Sequence, residues 1–222
     1  MIKSEIKKNE ILKYLGYQGQ VLTDQFQAEL DQAITGLLQI VELKNIWKTM
    51  QRDQLQHVLL GKDIISHLGN AEQVILLAAT LGQEVDFELR RSQNIDMKQA
   101  VILDATASVI IETYLDQLED QLREQFFEEN LFLSTRFSPG YGDMPLNVQQ
   151  DFLQILDANR KIGVHIANQG LMLPMKSVTC VMGILEKPIS NIADPCSICL
   201  FRGDCALKRR GGYCGKFRKK DI

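Results

Sequence analysis

The stretch IDMKQAVILDATASVIIETYLDQLEDQLREQFFE, residues 95–128, sets Met97, Val101, Ala107, Ile111, Tyr114, Leu118, Leu122 and Phe126 along one stripe at helical spacing. Asp96 stands where an N-cap side chain is wanted. The spacing predicts one long central helix. Upstream, Phe26, Leu30, Ala33, Ile34, Leu37, Leu38 and Val41 trace a second stripe behind the cap signal Thr23-Asp24, which predicts a helix over 24–43. Between the two, QHVLL (56–60) and EQVILLAATLG (72–82) are compact apolar runs bounded by Gly or Asn, and read as short buried strands. Gly61 and Gly69 bracket a short helix. Downstream, Pro145-Leu146-Asn147 followed by Val148, Phe152, Ile155 and Leu156 predicts another helix with Asn147 as its N-cap. The segment KIGVHIANQGLMLPMKSVTCVMGIL (161–185) reads as strands separated by turns, with Val, Ile and Thr enriched around 177–185. Strands and helices are thus mixed without the regular alternation of a doubly wound parallel sheet, so the fold class is α+β.

With 222 residues, 45% of them hydrophobic and 24% charged, the composition is that of a globular domain with a sizeable core. No apolar run approaches the roughly 18 residues that span a bilayer. The start, MIKSEIKKNEILKYL, mixes acids and lysines through its apolar positions and so does not form the apolar region of a secretory signal. A cytoplasmic protein with no membrane partner is the expectation. The net charge is −3, but it is unevenly placed: from Arg202 onward there are eight basic and two acidic residues, so the remainder is acidic. Four of the five cysteines, Cys196, Cys199, Cys205 and Cys214, fall within 19 residues. Four closely spaced thiolates in a reducing compartment suit one zinc ion or an iron–sulfur cluster better than disulfides, and the spacing does not choose between them. His57, His67 and His165 are scattered without ligand spacing and read as structural or exposed. The chain therefore divides into a main domain over 1–190 and a Cys-rich basic appendage over 191–222.

One segment has neither helical nor strand period: TRFSPGYGDMPL, residues 135–146. Pro139 sets φ near −65° and Gly140 can take φ above zero, so Ser138-Pro139-Gly140 makes a tight turn of defined shape. Arg136 and Tyr141 flank it, a guanidinium fork suited to a carboxylate and a ring suited to a base or a cation. A surface turn with a solvated arginine and a packed tyrosine fits the spacing equally well.

This segment resembles the R-x-x-P-G-Y motif of the S-adenosylmethionine-binding activation domain of cobalamin-dependent methionine synthase, especially the stand-alone proteins of that kind. AATLGQEVD (78–86), LDATASVIIE (103–112), GLMLPMKSVTCVMGI (170–184) and CSICLFRGDC (196–205) resemble further segments of that family, in family order. The resemblance implies an activation-domain-like fold of long central helices on a mainly antiparallel sheet. It implies that S-adenosylmethionine is bound by Arg136, Tyr141 and the backbone around Ser138, Pro139 and Gly140, with Glu112 on the small-residue face of the long helix facing the ligand ammonium or ribose. Asp143, Lys176 and Ser177 fall in matching segments too, but turn capping and strand termination explain them as well.

The function implied is that of an accessory reactivation subunit. It would bind the methyl donor for reductive methylation of an inactive Co(II) corrinoid on a partner, a cobalamin-dependent methionine synthase or other corrinoid protein, with the electron supplied by a donor protein. The expectation is a chain without the attached homocysteine, folate and cobalamin modules of the fused enzymes. No Cys/His or Ser/His/Asp arrangement stands out, in keeping with a role in positioning rather than nucleophilic chemistry. The alternative is a metal-cluster electron-transfer accessory of another corrinoid methyltransferase system. A nucleic-acid role for the basic tail KRRGGYCGKFRKK fits poorly with the acidic main domain.

Overall fold

The computed structural model describes residues 6–167 and 170–188, together with Gly203. The chain forms two compact units, each discontinuous in sequence. Among the described residues the first runs through Asn45, then Ala79–Gln117 and Ile162–Ser177; the second comprises Ile46–Ala78, Leu118–Lys161 and the described residues from Val178 onward.

In the first unit α1 (Lys8–Tyr14) precedes α2 (Asp24–Ile40), which begins where Thr23 Oγ1 accepts the amide of Phe26 at 3.2 Å. Leu30, Ala33, Ile34 and Leu37 are its buried face, as the stripe required. Helix α4 (Gln83–Ile95) follows Gly82 and buries Val85 and Leu89. Helix α5 (Met97–Glu128, 32 residues), of which the part from Leu118 onward belongs to the second unit, is capped by Asp96, whose Oδ1 accepts the amides of Lys98 at 2.9 Å and Gln99 at 3.3 Å. Its predicted stripe is buried from Ala107 through Phe126, apart from the half-buried Tyr114, which receives a hydrogen bond from Asn45 Nδ2. Met97 and Val101, at 63% and 52% exposed, leave the stripe, because the first turns bury Ala100, Ile102 and Leu103 instead. A hairpin of β4 (His165–Ile166) and β5 (Met172–Leu173) pairs antiparallel, with His165 opposite Leu173.

The second unit holds most of a four-stranded sheet in the order β1-β2-β6-β3: β1 (Lys44–Gln51), β2 (Gln73–Thr80), β6 (Ser177–Leu185) and β3 (Phe132–Leu133). β2 and β6 are central, which explains why both are almost continuously buried and read as apolar runs rather than alternations. β3 is antiparallel to β6, Phe132 opposite Leu185. Trp47 of β1 meets Phe126 of α5 edge-on at 6.4 Å.

Helix α3 (Lys62–Leu68) lies between Gly61 and Gly69, as their spacing indicates. QHVLL is not a strand. A 3-10 turn, Arg52–Leu55, continues into it, and the amides of Val58 and Leu59 both bond Leu55 O. Leu55, Val58 and Leu59 are buried from that turn, so burial without a partner strand produced the apolar run. The predicted helix near 148 exists as a 3-10 turn, Leu146–Val148, leading into α6 (Gln149–Leu156) and then α7 (Ala158–Ile162). Asn147 does not cap it: Pro145 occupies the cap position, no side chain caps either segment, and Asn147 is exposed inside the turn. The architecture is therefore α+β with antiparallel pairing, while the Cys-rich appendage over 191–222, with Cys196, Cys199, Cys205 and Cys214, lies outside the described residues.

Candidate functional site

The turn grows out of the sheet. Beyond β3, the amide of Ser134 bonds Gly183 O at 2.9 Å, and Phe137 and Val181 exchange both of their backbone hydrogen bonds, at 2.9 and 2.8 Å. The chain then leaves β6. Tyr141 N donates to Ser138 O at 3.1 Å across Pro139 and Gly140, and Gly140 has φ of 89°; this is a type II turn, which requires φ above zero at its third residue. A second turn follows at once, with Met144 N on Tyr141 O and Gly140 N on Met144 O. The amides of Gly140 and Tyr141 therefore hold the turn's own shape. Pro139 and Met144 are buried, whereas Tyr141 is 59% exposed.

Three residues from α3 fasten this loop. Asp143 Oδ2 and Oδ1 accept the amides of Lys62 at 2.7 Å and Asp63 at 3.0 Å, while Asp63 Oδ2 accepts the amide of Asp143 at 3.1 Å. Asp143 thus caps, as one of its two sequence readings had it. The amides of Asp63 and Lys62 hold the Asp143 carboxyl below the ordinary carboxylate range. A depressed folded-state pKa means that this contribution is present at neutral pH and is lost as pH falls through the lowered value. One turn further along α3, His67 Nε2 donates to Thr135 O at 2.7 Å and its ring lies 5.1 Å from that of Phe137. Burial lowers the His67 pKa, against the opposing pull of that hydrogen bond, and so favours the neutral ring. The histidine is structural. Of the other two, His57 and His165 are exposed.

Arg136 enters from the same strand end. Its Nε lies 2.9 Å from Oε2 of Glu119, and both side chains are largely buried, at 16% and 8% exposed. Arg136, Ser138, Pro139, Gly140 and Tyr141 are thus brought together within one unit. Glu112 is half-buried on the portion of α5 that belongs to the other unit.

That other unit carries its own polar group. Lys176 Nζ reaches Asp104 Oδ1 at 2.8 Å and Ser108 Oγ at 2.9 Å, one turn before Glu112 on α5. Ser177 Oγ meets Thr80 Oγ1 at 2.8 Å and Pro174 O at 2.6 Å. Lys176 is therefore an ion-pair partner of α5 rather than a strand terminator alone. Asp86, 5% exposed, accepts Met175 N at 2.8 Å through Oδ2, while Oδ1 meets no partner among the described residues. Burial raises its pKa, outweighing the hydrogen bond from Met175 and the pull of Arg90. A raised folded-state pKa carries the opposite sign to that of Asp143: the ionised carboxylate costs stability above the raised value and nothing once pH falls below the ordinary carboxylate range.

Sequence reasoning missed Glu119, Asp63 and His67 as partners of the turn. Glu119 and Arg123 show the i,i+4 spacing of a helical ion pair, which is a visible signal. Nothing local marks Asp63. Among the described residues no cluster of His, Cys, Asp or Glu is arranged to hold a metal, and no helix is long and apolar enough to cross a membrane.

Fold and turn together define an α+β domain that presents a rigid proline–glycine turn beside a buried arginine–glutamate pair. The chain belongs to the family described as vitamin B12 dependent methionine synthase, activation domain, whose model matches residues 17–188. Its fold is similar to that of a crystal structure described as the MetH reactivation domain bound to AdoHcy, with a TM-score of 0.62 and 14% sequence identity over 95% of this chain and 83% of that one. No curated protein matches the chain.

Proposed function

We propose that this protein binds S-adenosylmethionine and serves the reductive methylation of an inactive Co(II) corrinoid carried by a partner, a cobalamin-dependent methionine synthase. The observation that carries the reading is the family match over residues 17–188, which includes the whole turn and Glu112. The AdoHcy bound to the similar reactivation domain is the demethylated form of the same ligand. The residues suit that ligand. Its carboxylate would be held by the Arg136 guanidinium and one flat face covered by the exposed ring of Tyr141, while the type II turn at Ser138–Tyr141 keeps a thin backbone at Gly140. When bound, S-adenosylmethionine supplies the methyl group; the side chains of this chain bind and orient it, and the rate advantage is that of positioning.

Isothermal titration with S-adenosylmethionine and S-adenosylhomocysteine tests the reading: saturable binding of both is expected, and no heat with either overturns it. In the same proposal the domain over 1–190 holds the ligand, Cys196, Cys199, Cys205 and Cys214 in 191–222 hold one zinc ion or iron–sulfur cluster, and a donor protein supplies the electron. Elemental analysis of anaerobically purified protein should find stoichiometric zinc or iron, and its absence refutes the metal assignment while leaving the ligand assignment standing.

A further inference from the structure

The end of α5 leaves a large apolar ring in solvent. Phe127 is 64% exposed, and its ring meets that of the half-buried Phe132 edge-on at 6.0 Å, so the two form a small apolar shelf beside the edge strand β3. Acids flank it in the chain. Glu124, Glu128 and Glu129 are all exposed, and among the described residues none of them belongs to an ion pair. Glu124 and Glu128 stand at i,i+4, where like charges repel, and the last turn of the helix carries no basic residue although its dipole is negative there. This helix end is poorly matched by its own sequence and well matched to a cationic segment that carries an apolar ring.

We infer that residues 216–220 of this same chain, KFRKK, dock on the shelf, with Phe217 against Phe127 and Phe132 and the flanking Lys216, Arg218, Lys219 and Lys220 reaching Glu124, Glu128 and Glu129. Two observations select that occupant. The first is charge: four basic residues and one aromatic ring fall in five positions, while the main domain is acidic. The second is where the chain leaves the sheet. Leu185 of β6 lies opposite Phe132, and Pro188 follows three residues later, so the chain that leads to the cysteines starts beside the shelf. Lys216 comes 28 positions after Pro188, and a chain spans up to about 3.3–3.6 Å per residue, so its length allows the return. Exposed ion pairs are individually weak, but a tethered segment meets its site at an effective concentration on the order of millimolar. Docking closes a loop that carries all four clustered cysteines and has both of its ends on the second unit. The inference depends on neither the ligand nor the metal proposed above.

The test is zero-length cross-linking of the full chain with a water-soluble carbodiimide, which joins a lysine amine to a carboxylate it touches, followed by peptide mass spectrometry. At low salt, cross-links from Lys216, Lys219 or Lys220 to Glu124, Glu128 or Glu129 are expected, and a mixture of light and isotope-labelled protein should show that they form within one chain. Phe127→Ser and Phe217→Ser leave every reactive group in place. Each should slow the cross-linking about five-fold, the scale of one lost aromatic contact. Where Phe127→Ser does not fold, Phe217→Ser decides alone, since it leaves α5 untouched. Cross-links found only between light and labelled chains would assign the shelf to a second copy. Lysines of the segment that link to other carboxylates, or to none, would leave the shelf to a different partner. Either result overturns the inference. So does an unchanged rate in Phe217→Ser, which would mean attraction between charges without a docked ring.

Discussion

Arg136→Ala should weaken S-adenosylmethionine binding by roughly 10-fold to 150-fold, because a charge-assisted hydrogen bond in a partly buried site contributes about 1.5 to 3 kcal/mol. It should also lower stability. Glu119 keeps Arg123 on Oε1 but loses its partner on Oε2. Removing one member of a buried pair costs about 3 to 5 kcal/mol when the other is left bare, so with a second arginine still in place a loss of about 1 to 2 kcal/mol follows. Arg136→Lys separates the two roles. A lysine ammonium returns a positive charge to Glu119 but lacks the planar fork, so unfolding in urea should show most of the stability restored while calorimetry shows little of the affinity. An Arg136→Ala protein that binds as tightly as wild type would place the ligand elsewhere. Recovery of affinity and stability together in Arg136→Lys would mean that only charge matters at this position.

The parts of the fold that sequence reveals are those whose cause is local. The stripes of α2 and α5 are periodic because one face of each is buried, and the caps at Thr23 and Asp96 are short-range hydrogen bonds. β2 is legible because a central strand is buried on both faces. Helix α4 is hidden for the opposite reason: of its four buried positions two are Asp86 and Ser92, so its apolar stripe is reduced to Val85 and Leu89. QHVLL misleads because the turn that follows the 3-10 segment Arg52–Leu55 buries Val58 and Leu59 as fully as a strand would. The same division holds at the site. Pro139 and Gly140 announce their turn, since backbone geometry selects those residue types wherever they stand. What holds the turn in place does not announce itself. Glu119 meets Arg136 from 17 positions upstream and Asp63 meets Asp143 from 80, and each looks in sequence like an ordinary helix-surface acid.

Gly61→Ala should be among the most damaging single-methyl additions in the chain. Gly61 precedes α3 with φ of 117°, a conformation that costs an L residue about 1 to 3 kcal/mol. Space is short as well. A Cβ there would stand 2.4 Å from Asp143 Oδ1 and 3.0 Å from the carbonyl oxygen of Asp143, so the carboxylate must swing away from the amides of Lys62 and Asp63 that it caps. The strain alone should lower the melting temperature by roughly 2 to 12 °C, taking about 2 to 4 °C per kcal/mol for a chain of this size. The displaced Asp143 drags the second turn, whose Met144 carbonyl holds the amide of Gly140. Affinity for the proposed ligand should therefore fall along with stability, although Gly61 itself carries no side chain to touch it. Asp143→Ala divides the effect. In that background the carboxylate obstacle is gone while the φ strain and the backbone contact remain, so Gly61→Ala should cost measurably less than it does in wild type, but not nothing. Equal losses in the two backgrounds would show that the carboxylate is no obstacle, and a Gly61→Ala protein as stable as wild type would mean that α3 and the turn are not fastened as described.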